Sequence, residues 1–206
     1  MAAKTKTRTG KNGTEGSVKV QIPPIQITQM DVTLVGDTPL VINKFSEKAQ
    51  QQIAEKQGEK KAPKKLPPRV PKEEYEAATY RMPDGTPAMR AVAFKHAAVA
   101  ACRFVDGLPM TEARGAFQVM GDLVPIKGKP RMRTDTVRLE SGTTTLRYRP
   151  EFLSWSVTVT IRFNAEVFSA DQIIGLLNLA GFHGGVGENR PQKSGDNWGM
   201  FHVEQT

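Results

Sequence analysis

The sequence predicts an α+β fold with a ferredoxin-like βαββαβ core that carries two basic insertions. Three observations lead there. The clearest strand, Trp155 to Phe163, alternates Trp155, Val157, Val159, Ile161 and Phe163 with Ser156, Thr158, Thr160 and Arg162, so one face is apolar and the other polar. Two apolar helical stretches, Ala91 to Val105 and Gln172 to Ala180, stand between strand-like segments. With the basic stretches set aside, the order is strand, helix, strand, strand, helix, strand, the split βαβ pattern.

Each element has its own reason. Residues 1–24 are mostly Lys, Thr, Gly and Ala with little to bury, which predicts a disordered basic tail. Residues 25–206 form a single domain, with the insertions at about 36–90 and 121–154. Ile25 to Val35 is the first strand, and its alternation slips phase near Gln29, as at a β-bulge. Gly36-Asp37-Thr38-Pro39 is turn chemistry. Ser46 caps a short polar helix, Glu47 to Gln57. The stretch from Gly58 to Lys72 sets Lys60, Lys61, Lys64, Lys65, Arg69 and Lys72 against Glu59. Its four prolines exclude regular helix and favour an extended basic loop. The Ala-rich helix Ala91 to Val105 suits close packing on a sheet and ends at Gly107 and Pro109. Ala116 to Met120 is a short strand. Residues 137–139 and 146–149 alternate around Ser141-Gly142, predicting a protruding hairpin whose arginines share a face. Ser169 and Gln172 make a capping box for the second core helix. A loop rich in glycine then leads to a last strand, Met200 to Val203.

The chain has 206 residues, 29 Lys and Arg against 21 Asp and Glu, a net charge of +8, and a pI of about 9.7. The charge is unevenly placed. Residues 1–19 carry +4, residues 58–72 carry +5 and residues 127–149 carry +5, which leaves −6 for the remainder. Basic charge gathered in a tail and insertions is the distribution of a protein that grips a polyanion. The single cysteine, Cys102, excludes an intramolecular disulfide and a multi-cysteine zinc site, and its apolar neighbours predict a buried thiol. The polar N-terminus and the lack of a bilayer-length apolar run predict a cytoplasmic protein with no membrane partner.

Binding chemistry is better supplied than catalysis. Arg131, Arg133, Arg138, Arg147 and Arg149 on the hairpin are candidate phosphate ligands. The loop containing Gly184, Gly185, Gly187, Arg190 and Lys193 is a candidate backbone cradle, since glycine permits close approach and free N–H groups hold anions. Trp198, Tyr148 and Phe182 are candidate stacking surfaces, with core packing favoured for Phe182 and expected for Trp155. His183, Glu188, Asp196 and His202 sit close in sequence but match no metal-ligand spacing. His96 has no ligand partner near it and reads as a packed or surface histidine. There is no phosphate-binding GxxxxGK[ST] motif, and GVGENR lacks the strand-to-helix turn of a dinucleotide site. No cofactor is implied and the chain is read as a non-enzyme.

The strand order, the long insertion after the first strand, the basic hairpin and the loop of Gly184, Gly185, Gly187, Arg190, Lys193, Gly195, Gly199 and Phe201 resemble the RAMP superfamily. These are the repeat-associated RNA-binding proteins of CRISPR effector complexes, above all their backbone subunit. The stretches TPLVINKFSEKA, MTEARGAF and GVGENRP also resemble a group of tailed-phage proteins. The spacing from Gly187 to Gly199 is longer than in the usual superfamily loop, and the chain is short for a CRISPR backbone subunit. The resemblance implies a binder of single-stranded DNA or RNA, largely without sequence preference. It also implies subunits stacked side by side as a homo-oligomer, in host cytoplasm, in phage replication, recombination or strand protection. Two other readings stand beside it: a phage structural or assembly protein, and a metal-independent ribonuclease with His183 as general acid or base.

Overall fold

The computed structural model describes residues 24–44, 70–138 and 142–205. The strands in chain order are β1 (Ile27–Gly36), β2 (Leu40–Val41), β3 (Tyr80–Arg81), β4 (Pro87–Arg90), β5 (Phe117–Val119), β6 (Leu123–Pro125), β7 (Pro130–Arg138), β8 (Thr144–Phe152), β9 (Ser156–Asn164) and β10 (Phe201–Val203). The α-helices are α1 (Pro71–Ala77), α2 (Val92–Ala101), α3 (Met110–Ala116), α4 (Ala170–Leu179) and α5 (Pro191–Ser194). The fold is mixed α and β, with antiparallel sheets and several helices.

The central sheet has the order β10-β1-β9-β5, every neighbour antiparallel. Two smaller sheets, β2-β8-β7 and β3-β4-β6, stand beside it. Pairing of β1 with β9 is unbroken from Ile27 opposite Asn164 to Val35 opposite Ser156. The expected bulge at Gln29 is therefore absent. The phase slip arises because Ile27 lies on the polar face with Gln29, Asp31 and Thr33, and Ile25 and Ile27 remain exposed. Val32, Leu34, Val157, Val159, Ile161 and Phe163 fill the opposite face.

Helices α2 and α4 cover that apolar face. Ala97, Ala98 and Ala101 are buried, so the small residues of α2 let it approach its neighbours closely. Phe94 meets Phe201 edge-on with centroids 5.7 Å apart, and Phe117 meets Phe168 at 6.1 Å. The capping box of α4 forms as the sequence predicts, Gln172 N donating to Ser169 Oγ and Ser169 N to Gln172 Oε1. Helix α4 begins two residues before the expected start and passes into one π-helical turn, Ala180–Gly184. Helix α2 ends at Ala101 and tightens into a 3-10 turn, Cys102–Phe104, with Cys102 buried.

Trp155 joins the central sheet to the hairpin. It is buried, its Nε1 donates to Thr38 O at 2.9 Å, and its ring lies against Gly36, where a Cβ would fall 2.1 Å from the indole nitrogen. No helix among the described residues is long and apolar enough to cross a membrane.

Candidate nucleic-acid interface

The hairpin is longer than the sequence pattern shows. β7 and β8 pair from Pro130 opposite Phe152 to Arg138 opposite Thr144. Side chains directly opposite share a face. One face thus carries Arg131, Arg133, Asp135, Arg147, Arg149 and Glu151. Arg138 lies on the other face with Thr136, Leu146 and Tyr148, which corrects the expectation that all the arginines share one. The reason is the turn. Five residues separate Arg138 from Thr144, and an odd-length connection sets even numbers opposite even numbers.

The hairpin root is an ion-paired network. Glu151 is buried, and its carboxylate accepts from Arg131 Nε at 2.6 Å and Arg133 Nη1 at 2.8 Å. Asp135 accepts from Arg133 Nε and Arg149 Nη2, both at 2.7 Å. Burial opposes the charge of Arg133, but its bonds to Asp135 and Glu151 outweigh that and hold the guanidinium above its usual range. Arg133 also lies over the Trp198 ring, 3.9 Å from its centroid. Arg149 is buried, and its Nη1 stands 3.9 Å from Glu188, which in turn holds Lys193 at 2.7 Å. The fold thereby brings Arg131, Arg133, Arg149, Lys193 and Trp198 into one cluster. Arg133 and Arg149 are committed to the chain's own carboxylates. Arg131, Arg138 and Arg147 are exposed, and the last two make no ion pair among the described residues.

At three positions the glycine-rich loop makes room for the chain itself. A Cβ at Gly185 would lie 2.9 Å from Pro191 Cδ, one at Gly187 would lie 2.5 Å from Val41 O, and one at Gly199 would lie 1.9 Å from Val186 O. All three have positive φ. These glycines admit the chain itself. Gly184 differs, with no atom nearer than 3.8 Å to such a Cβ. The loop's N–H groups are largely spent as well: Gly185 N donates to Ala180 O, Val186 N to Gly199 O, and Glu188 N to Val41 O. Arg190 Nη1 donates to Gly187 O and braces the turn.

The remaining candidates scatter. Phe182 is exposed, where core packing was expected, because it projects from the π-helical turn. His183 stacks on Phe104 with centroids 4.0 Å apart, His202 Nδ1 lies 2.6 Å from Asp37 Oδ1, and Asp196 accepts from Ser194. Among the described residues no three His, Cys, Asp or Glu side chains converge as a metal set would. Tyr148 is half-buried on the Arg138 face. The polar face of the central sheet presents Gln29, Asp31, Thr33, Thr158, Thr160 and Arg162. It has no Phe, Tyr or Trp among the described residues on which a base would stack. Lys60, Lys61, Lys64 and Lys65, the polar helix at 47–57 and most of the N-terminal tail lie outside the described residues.

Three carboxylates organise the cluster: sequence reasoning missed Asp135 and Glu151, and it weighed Glu188 only as part of a metal-like group. The signal for Asp135 and Glu151 is the pair of stretches RMRTD, residues 131–135, and RYRPE, residues 147–151. Each has cation, cation, anion at alternate positions, and antiparallel pairing matches the anion of one with a cation of the other.

No family model matches this sequence and no curated protein matches it. Among solved structures, a chain of a CRISPR RNA-guided surveillance complex is similar to this one with a TM-score of 0.34 and 11% identity, over 85% of this chain and 67% of that chain.

Proposed function

We propose that the protein binds single-stranded nucleic acid, largely without sequence preference, on the outer part of the β7–β8 hairpin. One observation carries the reading. The hairpin root is braced by its own ion pairs and meets the C-terminal loop through Arg133 over Trp198 and Arg149 beside Glu188, while Arg131, Arg138 and Arg147 are left exposed on a chain of net charge +8. A rigid arm with cations on both faces suits a flexible phosphate chain that crosses it. The central sheet is assigned no base-stacking role, since among the described residues its open face carries no Phe, Tyr or Trp and its one imidazole, His202, is held by Asp37.

The strand order β10-β1-β9-β5 supports reading the core as ferredoxin-like, because sheet order 4-1-3-2 is that of the split βαβ unit. With the basic hairpin beside it, this supports placing the chain among RAMP-type domains. In that setting copies would line up along a strand in replication, recombination or strand protection. The reading assigns the chain no catalytic step.

The test is fluorescence anisotropy with labelled single-stranded DNA, single-stranded RNA and duplex DNA across a salt series. Single strands should bind more tightly than duplex. Arg138→Ala and Arg147→Ala should each flatten the log–log salt slope by roughly 0.7 per lost contact while thermal stability stays within about 0.5 kcal/mol. Unchanged slopes in both variants would remove the hairpin from the interface.

A further inference from the structure

A cleft of about 230 Å³ is walled in part by the glycine-rich loop, through Gly185, Val186, Gly187 and Glu188. Its floor is apolar, made by Ile42, Met89 and Ala97, and its rim carries Arg90, His96, Arg190 and Gln192. None of these rim groups is fully used by the chain. Arg90 faces Asp122 at 3.8 Å with both side chains more than half exposed, a pairing too loose to neutralise it. Arg190 spends one N–H of its guanidinium on Gly187 O and keeps the rest. His96 is exposed and makes no hydrogen bond among the described residues. Glu188 also lines the cleft, but Lys193 and Arg149 already hold its carboxylate, so it offers little repulsion to an anion.

We propose that this cleft binds one nucleotide unit, with its phosphate on Arg90 and Arg190 and its base on the apolar floor beside His96 and Gln192. The chemistry selects that class. Two guanidinium groups recognise a phosphate by paired hydrogen bonds. An apolar floor accepts the face of a base, while an imidazole and a carboxamide supply stacking and edge contacts. At about 230 Å³ the cleft is smaller than sites that enclose a drug-sized ligand, so it would take no more than one nucleotide and would leave part of it in solvent. The inference deepens the strand-binding reading and rests on it for the source of the nucleotide. Glu188 belongs both to the cleft wall and to the hairpin network, so the cleft and the hairpin root share a residue.

The experiment is an isothermal titration of the full chain with AMP, adenosine and inorganic phosphate, with no strand present. AMP should bind saturably, with adenosine and phosphate each at least about tenfold weaker. Arg90→Gln, on an exposed side chain, should weaken AMP by about tenfold or more. Ala93→Phe, which fills the cleft from the first turn of α2, should abolish binding. Arg147→Ala should leave AMP binding intact. No saturable AMP binding by the unmodified chain overturns the proposal, as does AMP binding unchanged in both cleft variants. Phosphate binding as tightly as AMP also overturns it, since the cleft would then be an anion site without a base subsite. Because these titrations contain no strand, they fail separately from the hairpin test.

Discussion

Arg149→Ala separates a structural arginine from a phosphate ligand. Its side chain is 10% exposed, it donates to Asp135 at 2.7 Å, and it stands 3.9 Å from Glu188. Removing one member of a buried pair costs about 3–5 kcal/mol when its partner is left uncompensated. Here neither carboxylate is stranded, because Asp135 keeps Arg133 and Glu188 keeps Lys193, each at 2.7 Å. The loss is then one charge-assisted hydrogen bond plus packing of the aliphatic stem, about 2–3 kcal/mol. For a chain of this length that corresponds to a fall in melting temperature of about 4–12 °C. Arg149 Nε is buried without a partner, so the native state already carries one unsatisfied donor. Arg149→Ala and Arg149→Met both remove that donor, and Met also keeps an apolar stem in place, so it should recover about 1 kcal/mol relative to alanine. Thermal unfolding by circular dichroism measures both variants, and anisotropy at two salt concentrations follows binding. A melting temperature within 1 °C of the unmodified protein, with a flattened salt slope, would refute the assignment and make Arg149 a phosphate contact.

Gly199→Ala must place a Cβ that now would lie 1.9 Å from Val186 O at φ +65°, so strain and overpacking together should cost about 2–5 kcal/mol and lower the melting temperature steeply. Gly195→Ala, with nothing within 4 Å at φ +77°, is the control that pays strain alone and should cost less. Ser169→Ala removes the capping box of α4 and should cost about 1 kcal/mol in thermal unfolding, with strand binding unaffected. Burial pushes the Cys102 thiol above its ordinary value. The folded state therefore holds the proton that the unfolded chain releases. That contribution to stability is full below the unfolded thiol's pKa and is lost as pH rises toward the folded value. Cys102→Ala should flatten the fall in stability between neutral and alkaline pH, and a Cys102 thiol in the native chain should react with a disulfide reagent far more slowly than in denaturant.

Much of the fold is legible because period-two and capping signals are local. The apolar faces of β1 and β9, the Ala-rich face of α2 and the Ser169 capping box each follow from residues within one element. The pairs that build the site are not local. Whether Arg138 joins Arg147 depends on the length of a turn, and a change of one residue there reverses every face. Helix α3 was missed because MTEARGA presents a single buried side chain, Ala113, so its pattern shows no apolar stripe. The exposure of Phe182 turns on a π-helical turn, which shifts side-chain directions by one position relative to a regular helix, and no propensity at Gly181 or Phe182 announces it.

The glycines show how one signal admits two physical readings. Glycine is selected wherever a backbone needs positive φ or close approach, and sequence alone leaves open whether the approaching group is a ligand or another part of the chain. In this loop the chain is the answer at Gly185, Gly187 and Gly199, whose absent Cβ atoms make room for Pro191, Val41 and Val186. That changes what the loop does. It is a packed wall, pinned to β2 through Glu188 N and Val41 O and to the hairpin through the Glu188 carboxylate. The same wall lines the cleft rimmed by Arg90 and Arg190, and its Glu188 carboxylate stands 3.9 Å from the hairpin's Arg149. Charge at the hairpin root and at the cleft is then coupled through a single residue, Glu188. Glu188→Gln should loosen Lys193 and Arg149 together and raise the positive field at both places, so tighter strand binding at low salt should accompany a lower melting temperature. If binding tightens with no loss of stability, the loop is held by its backbone bonds alone, and the carboxylate serves only to moderate the charge around it.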